Sequence, residues 1–114
     1  MTGQELATAA QYGAPVIALV VNNGMYGTIR MHQEREYPGR ISGTELQNPD
    51  FAAYARAFGG HGEVVESTEQ FAPAFERARA SGKPALIELR IDPDAITTAT
   101  TLTAIRAQAL ERRK

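Results

Sequence analysis

The chain has 114 residues, neither cysteine nor tryptophan, and a net charge of −1 from 12 basic and 13 acidic side chains. That length suggests one domain able to bury a core without a metal or disulfide staple, and the balanced charge argues against nucleic acid or an anionic membrane as the main partner. The absence of cysteine excludes a disulfide framework, a thiolate nucleophile and a Cys-type zinc site, and it fits a cytoplasmic setting.

Thr2 stands three residues before Glu5, the spacing of a capping box, and ELATAAQY behind it is rich in helix formers. With Gly13 as a stop and Pro15 barring continuation, a helix is expected over residues 3–12. PVIALVV, residues 15–21, is continuous and β-branched, which argues for a strand buried on both faces of a parallel sheet. This longest apolar run, residues 14–21, is too short to span a bilayer, and MTGQEL lacks the basic and apolar regions of a signal peptide.

Residues 22–50 are polar and punctuated by glycines, with a candidate helix over 26–36; a long loop of this kind in a compact domain is more often functional than idle. Asp50 is placed to cap a helix over 51–58, where Phe51, Tyr54, Ala55 and Phe58 form one apolar stripe. EVVE at 63–66 is a short strand candidate. Ser67 and Gln70 repeat the capping-box spacing before a helix that runs to about residue 80, with Phe71 and Phe75 on one face. Pro73 is expected to leave the first turn or two of that helix irregular. PALIELRI, residues 84–91, is the third strand, and after the threonine-rich TTATTLT a short helix is expected over 104–112.

Strands alternating with helices imply crossover connections and a parallel sheet covered on both faces, an α/β fold. Such sheets bind ligands at the carboxyl ends of their strands. The carboxyl end with a conspicuous sequence here is Asn22-Asn23-Gly24-Met25-Tyr26-Gly27. Asparagine amide oxygens and carbonyls freed in a tight turn suit Mg²⁺, and glycines allow close approach of backbone N–H groups to phosphate. Asn-Gly is also a common turn pair, so on the local chemistry alone a plain strand-to-helix turn is the stronger reading.

Taken together, TGQELATAAQYGAPVIALVVNNGMYGTIR, NPDFAAYARAFGG and KPALIELRIDPD resemble the C-terminal, cofactor-binding domain of thiamine diphosphate-dependent enzymes of the acetolactate synthase, benzoylformate decarboxylase and pyruvate decarboxylase group. The family's diphosphate motif begins with Gly-Asp-Gly and ends with Asn-Asn; the second half stands here as Asn22-Asn23. The resemblance implies thiamine diphosphate and Mg²⁺ as cofactors. Asn23 would give the ion its side-chain oxygen and Met25 its backbone carbonyl. Asn22, Gly24, Tyr26 and Gly27 would line the diphosphate, and Thr28 and Ile29 would begin the substrate pocket. No residue of the chain is assigned a catalytic role. Pyruvate decarboxylases carry a glutamate where Ile29 stands, and acetolactate synthases usually carry acidic or glutamine residues after the pair; the Asn-Asn-Gly-x-Tyr-Gly form is most like benzoylformate decarboxylase and its relatives.

Family spacing would put a metal-binding aspartate, the strongest hard-oxygen ligand, about four positions before Met1. The resemblance therefore implies an incomplete three-layer sandwich lacking its first strand or strands. Residues 1–94 would be the cofactor-binding part and 95–114 a partly helical tail. The chain would be a fragment, a truncated gene product or one half of a split enzyme, inactive alone. The missing N-terminal domain, or a partner subunit, would carry the glutamate that activates the cofactor. The full-length protein would be a homodimer or homotetramer acting on a small 2-oxo acid by decarboxylation or carboligation. A different class of reading is a non-catalytic interaction module.

The remaining polar residues carry less. His32 and His61 are expected at the surface and in a loop, too few for a histidine-based metal site. Arg30, Arg35 and Arg40 could steer an anionic substrate, but Glu34 and Glu36 beside them favour a solvated mixed-charge segment.

Overall fold

A computed structural model describes residues 2–113. In chain order it contains α1 (Glu5–Gln11), β1 (Ile17–Asn22), α2 (Gly27–Glu36), α3 (Phe51–Ala57), β2 (His61–Val65), α4 (Thr68–Ser81), β3 (Ala85–Arg90) and α5 (Leu102–Glu111). The chain divides into two compact units. One comprises α1, β1, α3, β2, α4 and β3; the other comprises α2, the following loop to residue 47, and α5.

The first unit is a three-stranded parallel sheet in the order β1-β3-β2. The central strand is the run PALIELRI, and its residues from Ala85 to Glu88 are all buried. Helices flank both faces, as expected of an α/β fold. On one face Ala74 and Ala78 of α4 pack with Val65, Ala85 and Ile87, and Ile17, Phe71, Phe75 and Leu89 close round them. On the other face α3 lies so close to β2 that a Cβ at Gly62 would stand 2.1 Å from the backbone oxygen of Ala52. Only glycine permits that approach. The Asp50 side chain accepts from the Ala53 N–H at 2.9 Å, the expected N-cap of α3.

Several expectations need correction. β1 is not buried on both faces: Leu19 is 46% and Val21 61% exposed. β1 is an outer strand, and α4 packs on β2 and β3, so on that face of β1 Ile17 reaches the core but Leu19 and Val21 stay uncovered. α4 is regular from Thr68, with Pro73 inside it. The carbonyl that Pro73 leaves without a donor is that of Glu69, in the exposed first turn, where water can take the place of the missing N–H. The Thr2–Glu5 capping box is a direct side-chain bond, Thr2 Oγ1 to Glu5 Oε1 at 2.7 Å, and the N-cap is Gln4. The capping box expected at Ser67 does not form: the Ser67 side chain makes no cap, and Gln70 reaches one residue further back to accept from the Glu66 N–H at 2.8 Å.

In the second unit α5 packs on α2. Thr101 caps α5 by accepting from the Ala104 N–H at 3.1 Å, and Asp94 accepts from both the N–H and the hydroxyl of Thr103. The threonine-rich run, a poor helix former, therefore serves as a cap. No helix among the described residues is long and apolar enough to cross a membrane.

Candidate functional site

Asn22 closes β1 in the first unit, and Asn23 through Ile29 open the second. The Asn23–Met25 turn is tight. Asn23 Oδ1 accepts from the Met25 N–H at 3.2 Å, and Gly24 has φ +70°, the left-handed region that glycine adopts without strain. The turn is held from outside by a short antiparallel bridge, in which Tyr26 N–H donates to Thr44 O at 2.8 Å and Leu46 N–H to Gly24 O at 2.9 Å. Among the described residues no backbone N–H is bonded to Met25 O.

α2 begins at Gly27 with Tyr26 as its N-cap, and no side chain caps it. The first-turn N–H groups of Gly27, Thr28 and Ile29 therefore project beyond the helix end, where the helix dipole favours negative charge. A Cβ at Gly27 would stand 2.7 Å from Asn23 Nδ2 and 2.9 Å from Ile96 Cδ1, so the Asn23 amide lies directly over this glycine. Asn23, Met25 and Gly27 are half-buried, whereas Tyr26, Thr28 and Ile29 are exposed. The structure thus brings Asn23 through Ile29 together at one helix start.

The donor set is neutral: an amide oxygen that keeps a lone pair beyond its bond to Met25, and a carbonyl oxygen. Both are hard oxygen donors of the kind Mg²⁺ takes. Among the described residues no three His, Asp or Glu side chains gather as a metal cluster.

Beyond the turn, α2 carries a buried charge cluster. Glu34 is 1% exposed and Arg30 8%. Arg30 Nε donates to Glu34 Oε1 at 2.9 Å, Arg106 Nε of α5 to Oε2 at 2.8 Å, and the Gly39 N–H to Oε2 at 2.9 Å. The Arg106 guanidinium above all, then the Gly39 N–H and Arg30, hold the Glu34 carboxyl down at about 2 against the opposing effect of burial. Arg30 is therefore engaged, and the segment is not the solvated mixed-charge face its sequence suggests. Arg35 and Arg40 are exposed, as is His32. His61 is not a loop residue: it opens β2, and its Nε2 lies 2.7 Å from Glu63, which also pairs with Arg77.

The first unit holds a polar chain that sequence reasoning missed. Glu88, 2% exposed on β3, accepts from Asn22 Nδ2 at 2.6 Å, and Asn48 Nδ2 donates to Asn22 Oδ1 at 2.8 Å. The available signal was a lone acidic residue inside the apolar run PALIELRI.

The family model described as thiamine pyrophosphate enzyme, C-terminal TPP binding domain, matches residues 1–89. The chain belongs to the thiamine pyrophosphate enzyme family. The acetolactate synthase large subunit of Corynebacterium glutamicum is 37% identical over 101 residues, covering 83% of this chain and 16% of that protein. The putative thiamine pyrophosphate-containing protein YdaP of Bacillus subtilis is 37% identical over 92 residues, 80% of this chain and 16% of its own. The acetolactate synthase large subunit of Parasynechococcus marenigrum is 38% identical over 93 residues, 80% and 15%. The chain thus spans about a sixth of the length of these thiamine pyrophosphate family relatives.

Proposed function

We propose that this chain supplies the Mg²⁺ and diphosphate anchor of a cytoplasmic thiamine diphosphate-dependent enzyme acting on 2-oxo acids, by decarboxylation or carboligation. The observation that carries the reading is the uncapped start of α2 immediately behind an amide-and-carbonyl turn, inside the segment that matches the family. Asn23 Oδ1 and Met25 O hold the ion. The first-turn N–H groups of Gly27 and its neighbours face the diphosphate, as helix starts do for phosphate groups generally. Asn22, Gly24 and Tyr26 shape the turn, and the exposed Thr28 and Ile29 stand at the substrate side. The cofactor, when bound, supplies the electron sink for bond cleavage next to a carbonyl; the chain binds and orients it.

Two of these three relatives are acetolactate synthase large subunits, which moves weight from the benzoylformate decarboxylase form of the motif toward acetolactate synthase-like chemistry. Residues 1–94 are the anchoring part and 95–114 the tail. The sequence contains no Gly-Asp-Gly. The aspartate ligand and the activating glutamate come from polypeptide outside these 114 residues, in a homodimer or homotetramer. The isolated chain accordingly shows no steady-state release of CO₂ from a 2-oxo acid; measurable turnover by it alone refutes this division of labour.

Calorimetry with thiamine diphosphate tests the anchor. Binding heat that requires Mg²⁺ and weakens by about tenfold or more in Asn23→Ala is the expected result. Heat that ignores both Mg²⁺ and the substitution rejects it. A second reading, a non-catalytic module or half of a split enzyme, is favoured by the uncovered Leu19 and Val21 of β1. It predicts silence with the cofactor and a stable complex with another polypeptide.

A further inference from the structure

We propose that Glu88 is a positioning residue: it locks the Asn22 carboxamide at the carboxyl end of β1, and so sets the peptide from which the Asn23–Met25 turn departs. The inference rests on the cofactor reading above and concerns a residue outside the anchoring motif.

Glu88 occupies the middle of the central strand, in register with Val20 of β1 and Val64 of β2. Its neighbours along the strand are Leu86, Ile87 and Leu89. A carboxylate in such a place is costly unless its oxygens are well partnered, and an apolar side chain of similar size is often the more stable choice. The partnering is incomplete. Oε1 accepts from Asn22, while Oε2 has no hydrogen bond and lies 3.5 Å from Arg90 Nε, outside good hydrogen-bond geometry. Arg90 turns instead to Glu66, at 2.8 Å. Stability does not account for a glutamate here.

Orientation does. Glu88 Oε1 is an acceptor, so it obliges Asn22 to present its NH₂ group inward. The Asn22 oxygen is then directed to Asn48 Nδ2. Glu88 thereby decides which way round the Asn22 amide sits, and it ties the end of β1 to residue 48, two residues before the Asp50 cap of α3. A leucine at 88 would remove the acceptor that holds the Asn22 NH₂ group. Asn22 is joined to Asn23 by one peptide bond, so play at Asn22 becomes play in the turn.

The test is Mg²⁺-dependent thiamine diphosphate binding by calorimetry on the intact protein, with Glu88→Leu, Glu88→Gln, Asn22→Ala and the double variant Asn22→Ala/Glu88→Leu, each checked by thermal melting. Glu88→Leu should melt within a few degrees of wild type or above it, yet bind about tenfold more weakly. Glu88→Gln, which still offers an oxygen to Asn22, should recover most of that affinity. In the Asn22→Ala background the leucine substitution should cost nothing further, because Glu88 acts through Asn22. Unchanged affinity in Glu88→Leu, or losses that multiply in the double variant, overturn the proposal. Should Glu88→Leu fail to fold, the side-chain NH₂ resonances of Asn22 in wild type decide. Slow hydrogen exchange supports the lock, and exchange as fast as a free amide overturns it. A wild-type protein that binds no cofactor overturns the cofactor reading instead, and the same resonances still decide the lock.

Discussion

Glu34→Gln removes one charge from the centre of the second unit while keeping the side chain's shape. The carboxyl is lowered from 4.5 to about 2. That difference converts to about 3 kcal/mol of folded-state preference for the ionised form. Because the folded value is depressed, the stabilisation is complete above pH 4.5 and is lost as the pH falls toward 2. Glutamine also leaves Arg30, 8% exposed, without its counter-charge, which breaks a buried pair from one side. The expected cost at pH 7 is therefore about 3 kcal/mol, or a fall in Tm of about 10 °C for a chain of this size. Circular-dichroism melts of wild type and variant at pH 7 and pH 3 measure it. The gap should shrink to about 1 kcal/mol at pH 3, where wild type has lost most of the charge-dependent stabilisation. A gap below 1 kcal/mol at pH 7, or one of the same size at both pH values, would refute the reasoning.

Two glycines give sharper outcomes. Gly62→Ala drives a Cβ to 2.1 Å from the Ala52 backbone oxygen, and backbone on both sides cannot yield cheaply. Loss of more than about 4 kcal/mol, seen as an unfolded circular-dichroism spectrum or insoluble expression, is expected. Gly27→Ala meets the end of the Asn23 side chain and Ile96 Cδ1 instead. It should cost about 1–3 kcal/mol of stability while weakening Mg²⁺-dependent thiamine diphosphate binding disproportionately, read by melting and calorimetry together. Equal effects of the two substitutions on folding would contradict the packing described.

The elements that read cleanly from sequence are those whose cause is local. The β-branched run in PVIALVV and the Asp50 cap act within a few residues, and β1 and α3 lie close to where these signals put them. What stayed hidden depends on neighbours remote in sequence. Apolarity in β1 cannot say that the strand lies at the side of the sheet with Leu19 and Val21 uncovered. Arg30 and Glu34 look like an ordinary solvated i,i+4 pair until Arg106, 72 residues on, is seen to share the same carboxylate. The Asn22–Glu88 bond spans 66 residues in the same way. The turn at Asn23–Gly27 was legible because its chemistry is contiguous; its supports at Thr44, Leu46 and Ile96 were not.

The Glu34–Arg106 clamp has a consequence for the order of events during synthesis. The unit that holds Asn23 through Gly27 is discontinuous in the chain, and its closing helix, α5, is made after the rest of that unit. Until α5 is made, Glu34 has only Arg30 and Gly39 for company. Closing a loop of some seventy residues then fixes the cluster in one late step. Nascent chains stalled before residue 102 should leave α2 open to protease and those released after residue 111 should protect it, so the segment beginning at the paired asparagines matures only once α5 is made.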